Sequence, residues 1–588
     1  MVHAAAVRYI RRPLSVPSLF VPDRTVTTLS QSALDEFFAA FYRLHPVTAT
    51  FAGRHDCDHL LPDYSPEGLA AARNEMSRLR RRLAENGFGV LEADEVSTPD
   101  WEAIDGALAD AFLEVRLAED DSRHFVRGNP ALAIGEALFS LVAIASSSGP
   151  VEPRVEAAVA RMRAFPSFLH GARRSLGEGP LPATWRERAV RDCDGGLLLL
   201  ADLAGWPVSE QAPVPLCRAF QDAATHASAA LDWFRAYVAA RANDVATRYA
   251  AGHGLLDLTL RRGHWCDRPV ERLRHEARAA LERERLRLSE LVRSSGASSW
   301  QEVSERLAAQ RPASGSVLAA CESAWQEASR IGADQATWPD RPMRFVPMPA
   351  WARRASRSLS WRLYRAPPLA DSPAPDHYAV PVPDEDDDGA TRDAFARAWS
   401  HASIRLLHAV HHGGLGRHVQ YWHAARSPSR IGRIAGVDGA TRMAMTAGGT
   451  IGEGWAAYAT ELTEELGFLQ PDERLAAERE RVHLMVRAVV DLELHTGRLS
   501  FEDAVRFHHV VAQVPEVTAR AEVTRCSMLP GTGVMRWLGL RELWGARHAA
   551  EAVEGEAFRP RRFHDRVLGC GSIPATLVSR IVISGTGV

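Results

Sequence analysis

The chain has 588 residues, of which 46% are hydrophobic and 24% are charged, close to the averages of globular proteins, so disordered and collagen-like classes are excluded. Its formal net charge of −3 gives no overall attraction to nucleic acid or to an anionic membrane, and no run approaches the ~20 apolar residues of a membrane span. All 70 basic residues are arginines, which excludes Schiff-base and lysine general-base chemistry. We therefore expect a soluble protein whose partners are neither nucleic acid nor a membrane.

The seven cysteines are scattered singly, and no C-x-x-C pair occurs. An odd number of isolated thiols predicts buried free cysteines in a reducing compartment, and neither a disulfide framework nor a thiolate metal site. The N-terminal stretch MVHAAAVRYIRRPLSVPSLFVPDR has prolines inside its only apolar part, which is unfavourable for a signal peptide. Both features predict a cytoplasmic location.

Helical patterns dominate the chain from about residue 28, after an irregular N-terminal arm predicted for residues 1–27. Apolar residues recur at spacings of three and four in stretches such as ALDEFFAAFYRL and DWEAIDGALADAFLEVRLAED. Alanine, leucine, arginine and glutamate, which are good helix formers, make up most of these stretches. The sequence predicts a mainly α-helical fold. Strands are indicated only in MRFVPMP and HYAVPVP, where the prolines favour sheet edges or merely extended segments.

A segment rich in proline and aspartate, residues 366–398, separates two helical halves, residues 28–365 and 399–588. Its acidic run, Asp384–Asp388, lacks the spaced oxygen ligands and the glycine of a calcium loop, so we expect a solvated loop there. The sequence contains no internal repeat of solenoid length. We therefore predict a single large helical domain over residues 28–588, with this segment as a seam between its halves.

The segment Leu406–His423, LLHAVHHGGLGRHVQYWH, is the main candidate for chemistry, because five of its eighteen residues are histidine. Spacings of three and four place His408, His411 and His412 on one face of a helix. We expect that helix to end at Gly413–Gly414, since paired glycines are strong terminators.

The spacing of His408 and His412 is that by which H-E-x-x-H motifs present two imidazoles to zinc. Ala409 stands where that motif has the glutamate that takes a proton from metal-bound water. Glu453, which opens a later predicted helix, could add a carboxylate ligand from another element. The alternative is structural, since histidines in a last helical turn interact favourably with the negative end of the helix and with its free carbonyls.

With these motifs the chain resembles a bacterial family known as domain of unknown function 885, over most of its length. The opening LDEFFAAFYRLHPVTATFAGRHDCDHLLPDYSPEGLAAAR matches the family's start, and SWQEVSERL, RLYRAPPL and HYAVPVP match its middle more loosely. Members of the family resemble helical zinc peptidases of the H-E-x-x-H-plus-glutamate kind. The resemblance implies a large multi-helix, zincin-like fold of the gluzincin or carboxypeptidase type, with a deep cleft and at most a small β-sheet.

The family's core motif, H-E-x-x-P-G-H-H followed by glutamine, aligns here without a gap. Four of its positions are kept, as His411, Gly416, His418 and Gln420. Three are changed, the glutamate to His412, the proline to Leu415 and the first histidine of the closing pair to Arg417. The downstream E-G-W-A-x-Y motif is intact at Glu453–Tyr458, which implies that the family's third metal ligand is present.

Further family motifs follow the same pattern. R-x-x-x-D-x-x-x-H occurs as Arg487, Asp491 and His495, which share one helical face and either line the cleft or form an ordinary salt-bridged helix. E-V-x-R-Y occurs as Glu522–Cys526, with cysteine in place of tyrosine. The family's P-G-Q motif occurs as Pro530–Thr532, with threonine in place of glutamine, and the tyrosine expected after it is Arg536. The departures from the family pattern therefore lie among the candidate metal-binding and catalytic residues, whereas the motifs of the scaffold are kept.

The first functional hypothesis is a divergent, metal-dependent, peptidase-like hydrolase that acts on a small amino-acid derivative or short peptide. One divalent ion, with zinc favoured over iron or manganese, is held by His411 or His412, by His418 and by Glu453, with His411 as the favoured first ligand. The lost glutamate is replaced by a nearby imidazole, which titrates near neutrality. An arginine clamps a substrate carboxylate through paired hydrogen bonds. The catalytic candidates are His412, Arg487, His495 and Arg525.

The second hypothesis is a non-catalytic descendant without a metal, in which the peptidase-like cleft persists as a binding module or as the partner of an active protein. A missing general base favours it, because such a base typically contributes ~10² to 10⁴ in rate. An arginine in place of a ligand histidine also favours it, because a guanidinium cannot lose its proton to bind a cation. The sequence indicates neither the substrate nor the oligomeric state.

Overall fold

The computed structural model describes residues 29–89, 91, 96–122, 124–243, 249–359, 364–365, 376–383, 387–437 and 441–584. The N-terminal arm predicted for residues 1–27 lies outside these ranges. So do residues 366–375 of the seam and residues 384–386 of the acidic run.

Helices make up most of the described chain, which confirms the mainly α-helical prediction. Those before the first strand are α1 Leu29–Leu44, α2 Pro46–Phe51, α3 Pro66–Glu85, α4 Trp101–Asp121, α5 Pro130–Ala145, α6 Val151–Leu176, α7 Ala183–Leu203, α8 Trp206–Ser209, α9 Val214–Ala239, α10 His253–Leu258, α11 Val270–Ser294, α12 Trp300–Ala309 and α13 Val317–Gly332. Among the described residues, no helix combines the length and the apolar composition needed to cross a membrane.

The helices after the first strand carry the candidate site. They are α14 Ala350–Arg353, α15 Ala355–Ser358, α16 Gly389–Ala398, α17 His401–Ser403, α18 Val419–Ala424, α19 Arg430–Ala435, α20 Thr441–Met445, α21 Gly449–Glu465, α22 Pro471–His495, α23 Phe501–Ala512, α24 Glu516–Met528, α25 Met535–Glu554, α26 Pro560–Gly569 and α27 Ala575–Ser584. Two π-helical segments, Ile404–His411 and Gly414–His418, lie between α17 and α18.

One small sheet is present in the described residues, as expected. Its strands are β1 Met343–Pro347, β2 Tyr364–Arg365 and β3 Asp376–Val380, in the order β1-β3-β2. β1 runs parallel to β3, and β2 runs antiparallel to it. The expectation that prolines keep both predicted strands at a sheet edge is wrong for β3, which is central. Its prolines follow the last paired residue and so remove no hydrogen bond from the ladder.

The helix starts follow from local side chains that satisfy free backbone N–H groups. Ser65, Asp100 and Asn129 each accept a backbone hydrogen bond at the start of α3, α4 and α5. At the start of α22, Gln470 and Glu473 form a reciprocal capping box. These caps fix where the helices begin.

The first and last parts of the chain share one hydrophobic core. Phe37 of α1 and Phe112 of α4 belong to the same buried cluster as Trp455 of α21 and Phe563 of α26. A second cluster joins α5, α6, α7 and α9, and a third joins α11 to α22, α23 and α24. The predicted halves are therefore packed together through a common core, and the seam between them stays a prediction.

Asp105 is a buried polar link between the first and last parts of the chain. Its carboxylate accepts hydrogen bonds from the Ser429 hydroxyl at 2.5 Å, from Arg430 N at 2.7 Å and from Ile431 N at 3.2 Å. This one side chain of α4 therefore accepts hydrogen bonds from the backbone N–H groups at the start of α19, which have no acceptor within that helix.

We predict that Asp105→Ala lowers the free energy of unfolding by about 3 kcal/mol, because three buried donors lose their acceptor. Denaturation in urea measures the change. The matched control is Asp222→Ala on the exposed face of α9, which is expected to change stability by less than about 0.5 kcal/mol. Equal effects of the two substitutions would show that the Asp105 link contributes nothing specific.

Candidate functional site

The histidine-rich segment forms two π-helical segments, whereas its spacing predicts an ordinary α-helix. The first, Ile404–His411, ends before a turn at His412 and Gly413, in line with the predicted end at the paired glycines, and the second, Gly414–His418, follows directly. Gly416 has a non-helical ψ of −124°. A Cβ on Gly416 would lie 2.3 Å from the carbonyl oxygen of Val410 and 2.2 Å from that of His411. Only glycine allows this close approach, and π-helical register changes which side chains share a face.

The histidines of the segment consequently point to different partners. His408 stacks on Trp399, with ring centroids 3.9 Å apart, and its Nδ1 lies 2.6 Å from the Tyr378 hydroxyl. The His412 ring lies edge-on to His411 at 4.7 Å and near Tyr378 at 6.1 Å. His408 and His412 thus both contact Tyr378 of β3, and the His411 ring contacts that of His412.

His418 faces the small sheet. Its Nδ1 lies 2.9 Å from Oδ2 of Asp376, and both side chains are buried. Asp376 is the first residue of β3, which places this pair at the start of the central strand. The pair therefore connects the second π-helical segment to the sheet.

Glu453 is bound by arginines. Arg417 donates to Oε1 of Glu453 and also to the Tyr421 hydroxyl, at 2.5 Å. Nε of Arg536 lies 3.5 Å from Oε2 of Glu453. Nη2 of Arg536 lies 2.9 Å from Nδ1 and 2.7 Å from Nε2 of His411. A guanidinium is therefore inserted between Glu453 and His411.

This geometry does not fit a divalent ion at the predicted ligands. His411 faces Arg536, and Glu453 carries two cationic partners. The His418–Asp376 pair is compatible with a ligand, because metal-binding histidines commonly donate their other ring N–H to a carboxylate. An arginine keeps its charge under all ordinary conditions, so a metal here would meet two fixed positive charges. Within the described ranges, these three residues do not form a group with metal-binding geometry.

A glycine contact between two helices brings Glu453 and Arg536 together. A Cβ on Gly539 of α25 would lie 1.8 Å from the carbonyl oxygen of Thr450, and a Cβ on Gly454 would lie 2.5 Å from Gly539. The backbones of α21 and α25 are therefore in direct contact. Glu453 and Arg536 each lie within three residues of this crossing, which explains why a glycine follows Glu453.

Beside Glu453 is a small cavity, here named the arginine cavity. It is lined by Glu453, Leu484, Arg487, Arg525, Thr532, Gly533, Met535 and Arg536. A second small cavity shares Arg487, Arg525, Thr532 and Gly533 with it and adds Glu522 and His508. Arg525 is exposed to solvent, whereas Arg487 and Arg536 are largely covered. The cavity therefore reaches solvent beside Arg525.

Positive charge exceeds negative charge at this cavity. Arg417, Arg487, Arg525 and Arg536 meet two carboxylates, Glu453 and Glu522.

The pKa values at this cavity shift in different directions. Burial is the main cause that lowers the pKa of Arg536 to about 10, and Arg487 and Arg417 lower it further while Glu453 and Glu480 oppose the decrease. Burial would also lower the pKa of Arg487, but Glu522, Glu480 and Glu453 outweigh it, so that pKa is raised. Burial would raise the pKa of Glu522, but the Arg487 and Arg525 guanidiniums outweigh it and hold that pKa at about 2. Arg487 donates to Glu522 at 2.9 Å. The cavity is thus suited to an additional anion.

Asp491, His495 and Cys526 form the one group of three potential metal ligands in the described part of the chain, with their atoms within 4.8 Å of one another. The His495 ring is already engaged, because Nδ1 accepts from Ala251 N at 3.1 Å and Nε2 lies 3.1 Å from the Cys526 carbonyl oxygen. Burial raises the pKa of the Cys526 thiol well above its ordinary value, and the thiol donates to Oδ1 of Asp491 at 3.7 Å. The group is a hydrogen-bonded structural cluster.

The cluster positions the turn that leads into the arginine cavity. Asp491 accepts from Gly531 N at 3.1 Å and from Val534 N at 3.0 Å. Burial raises the pKa of Asp491 to about 6, despite these donors. The same turn contains Thr532 and leads into α25, and both Thr532 and Arg536 of α25 line the cavity. Asp491 therefore acts on the site through the backbone.

The predicted site residues separate into two groups. Glu453, Arg487 and Arg525 come together at the arginine cavity, whereas His412, His418 and His495 face other partners and do not line it. Arg536 and Glu522 were not among the predicted site residues. The available signal was that Arg417 and Arg536 both depart from the family pattern towards arginine, and these two departures meet on one carboxylate.

The protein is a large, mainly helical protein with one small sheet, and its candidate site is an arginine-lined cavity. Residues 46–582 match the family described as "Bacterial protein of unknown function (DUF885)", and the chain belongs to that family, which confirms the resemblance. The family description names no activity. No curated protein matches the chain.

Two solved structures share the fold. A "putative lipoprotein of unknown function" from Shewanella oneidensis is 17% identical, with a TM-score of 0.70 over 94% of this chain and 99% of that one. A protein from Colwellia psychrerythraea, described in the same way as a lipoprotein, is 16% identical, with a TM-score of 0.74 over 95% of this chain and 100% of that one. At this identity the likeness shows a common fold.

The predicted cytoplasmic location is contradicted by this comparison, because both solved structures are described as lipoproteins, which a covalent lipid holds at a membrane. All seven cysteines are free, as predicted. Thiols that have no second cysteine at bonding distance remain free in any compartment, so their pattern did not report the location.

We predict that Gly539→Ala destabilises the protein by more than about 3 kcal/mol, because its Cβ would overlap the Thr450 carbonyl at the helix crossing. Gly545→Ala on the same helix is the matched control, because a Cβ there meets no atom within 4 Å. The control is expected to gain up to about 1 kcal/mol from helix propensity. Thermal and urea denaturation distinguish the two variants. Similar behaviour of both would mean that α21 and α25 are not in backbone contact.

We predict that His495 makes the protein sensitive to acid. Burial lowers its pKa to about 3, whereas in the unfolded chain the ring takes up a proton near pH 6.5. The stability contributed by the neutral ring is therefore fully present above pH 6.5 and is lost as the pH falls towards 3, by about 1.4 kcal/mol per pH unit.

His495→Gln should accordingly lose about 2 kcal/mol less than the wild type between pH 7 and pH 5 in urea denaturation. The control is Val490→Ala, a buried substitution without a titrating group, whose profile should run parallel to that of the wild type. Parallel profiles for His495→Gln would exclude the role of the neutral ring.

Proposed function

We propose that this protein is a metal-independent binding protein for the carboxylate of a small amino-acid derivative or short peptide. The observation that carries the proposal is the set of arginines around Glu453 at the arginine cavity. Guanidinium groups bind carboxylates through paired, charge-assisted hydrogen bonds, and they do so best in partly covered sites. The ligand enters where Arg525 is exposed.

The existing contacts of Glu453 support this choice of ligand. Arg417 and Arg536 already hold one carboxylate, that of Glu453, and the pKa of Arg536 is lowered by burial and by neighbouring arginines. A second carboxylate therefore reduces the repulsion among the guanidiniums. The ligand carboxylate binds beside Glu453, against Arg487 and Arg525.

The metallopeptidase-like enzyme is the weaker candidate. It requires a zinc, iron or manganese ion on His411, His418 and Glu453, and a histidine such as His412 as general base. The fixed charges of Arg417 and Arg536 oppose the ion. Under the favoured proposal, the scaffold is that of a zincin-like, gluzincin or carboxypeptidase-type peptidase whose cleft binds ligands without hydrolysing them. The description of the solved relatives as lipoproteins supports a function outside the cytoplasm.

We predict that N-acetylglycine binds the full chain in isothermal titration calorimetry, whereas N-acetylglycinamide, which lacks only the carboxylate, gives no heat. Arg525→Gln should weaken the binding of N-acetylglycine at least tenfold, because it removes a charge-assisted pair. Arg525 is exposed, so the fold should persist. The matched control is Arg163→Gln, another exposed arginine, far along the chain on α6, with unchanged binding expected.

Elemental analysis of the protein purified without added metal separates the two candidates. The binding proposal expects far less than one zinc, iron or manganese per chain. One metal per chain, lost in both His411→Ala and Glu453→Ala while these variants remain folded, would overturn the proposal in favour of the enzyme. Equal binding of the acid and the amide would also overturn it.

A further inference from the structure

A second and larger pocket lies against the arginine cavity. It has a volume of about 430 Å³ and lies between α11, α22 and α25. Its apolar lining comes from Leu484 and Met485 of α22 and from Trp537, Leu540 and Trp544 of α25. We name it the tryptophan pocket.

The polar groups of the tryptophan pocket are largely engaged with one another. Oε1 of Glu461 accepts from Arg481 at 2.9 Å, and Oε2 accepts from Trp544 Nε1 at 2.5 Å. Arg541 donates to Glu276 at 2.9 Å and lies over the Trp537 ring at 5.0 Å. These contacts hold both indole rings in place. The pocket therefore presents fixed aromatic and aliphatic surface, which suits an apolar or aromatic group.

Leu484 is part of the wall of both cavities. Arg487, one turn further along α22, lines the arginine cavity, and Met485 lines the tryptophan pocket. On α25, the neighbouring residues Arg536 and Trp537 likewise line one cavity each. The two cavities thus lie on either side of Leu484, so a ligand that reaches both must pass this side chain.

We propose that the ligand is an aromatic amino-acid derivative, with its carboxylate at the arginine cavity and its ring in the tryptophan pocket. This inference rests on the proposed function, since it assigns the second half of the same ligand. The arginines select the charged end and the indole rings select the aromatic end. Neither cavity alone distinguishes this ligand from other carboxylates or other aromatic compounds.

Calorimetry with two ligands that differ only in the side chain tests the inference. We expect N-acetylphenylalanine to bind the wild type at least tenfold more tightly than N-acetylglycine, because the ring buries apolar surface. Gly545→Phe should fill the pocket and reduce this ratio towards one, with N-acetylglycine binding unchanged. Gly545 lines the pocket, and a Cβ there meets no atom within 4 Å, so there is open space at the start of the new side chain. Gly135→Phe on α5 is the matched control, because a Cβ there also meets no atom within 4 Å and the residue lines neither cavity, and it should keep the wild-type ratio.

The outcomes separate the two proposals. Binding of N-acetylglycine without any preference for N-acetylphenylalanine would overturn this inference and leave the proposed function in place. A preference that persists in Gly545→Phe would place the ring elsewhere and also overturn it. If neither acid binds, the proposed function fails, and this inference fails with it.

Discussion

The arrangement of the site depends on the ion pairs between Glu453 and two arginines. Arg417 comes from the π-helical segment and Arg536 from α25, so one carboxylate joins three elements of the fold. A guanidinium carries one fixed charge and offers no lone pair to a metal, so arginines at a site favour anions over cations. The charge of the cavity, and hence the ligand that we propose, follows from these arginines.

Two backbone contacts make the ion pairs possible. Gly454 and Gly539 let α21 and α25 touch, and Gly416 lets the π-helical segment turn against its own carbonyl groups. Each contact is too short for a Cβ, and interiors packed at this density tolerate no extra methyl group without movement. The polar side chains around such backbone contacts can change without moving the backbone. The chemistry of the site then changes, and the scaffold stays the same. This accounts for a site that departs from the family pattern within an otherwise ordinary member of the fold.

The hydrogen-bonded cluster of Asp491, His495 and Cys526 shows how the remaining motif residues support the site. It resembles a metal site in composition, yet its atoms already serve backbone groups on either side. A buried carboxylate that accepts two backbone N–H groups costs less than an unpaired one, and it fixes the turn that carries Arg536. On α22, Asp491 and His495 thus hold neighbouring backbone segments in place, and Arg487 adds positive charge to the cavity.

The sequence by itself determined the helical character of the chain, the small sheet and the family, because periodicity and motif spacing are local properties. It also named Glu453, Arg487 and Arg525, which line one cavity, as site candidates. The tertiary structure alone decided that the Arg536 guanidinium lies between Glu453 and His411 and that His418 pairs with Asp376. A π-helical register, read as an ordinary helix, places histidines on a face that they do not share. Whether Arg417 and Arg536 meet on one carboxylate depends on a helix crossing between distant segments, and no local pattern specifies that crossing.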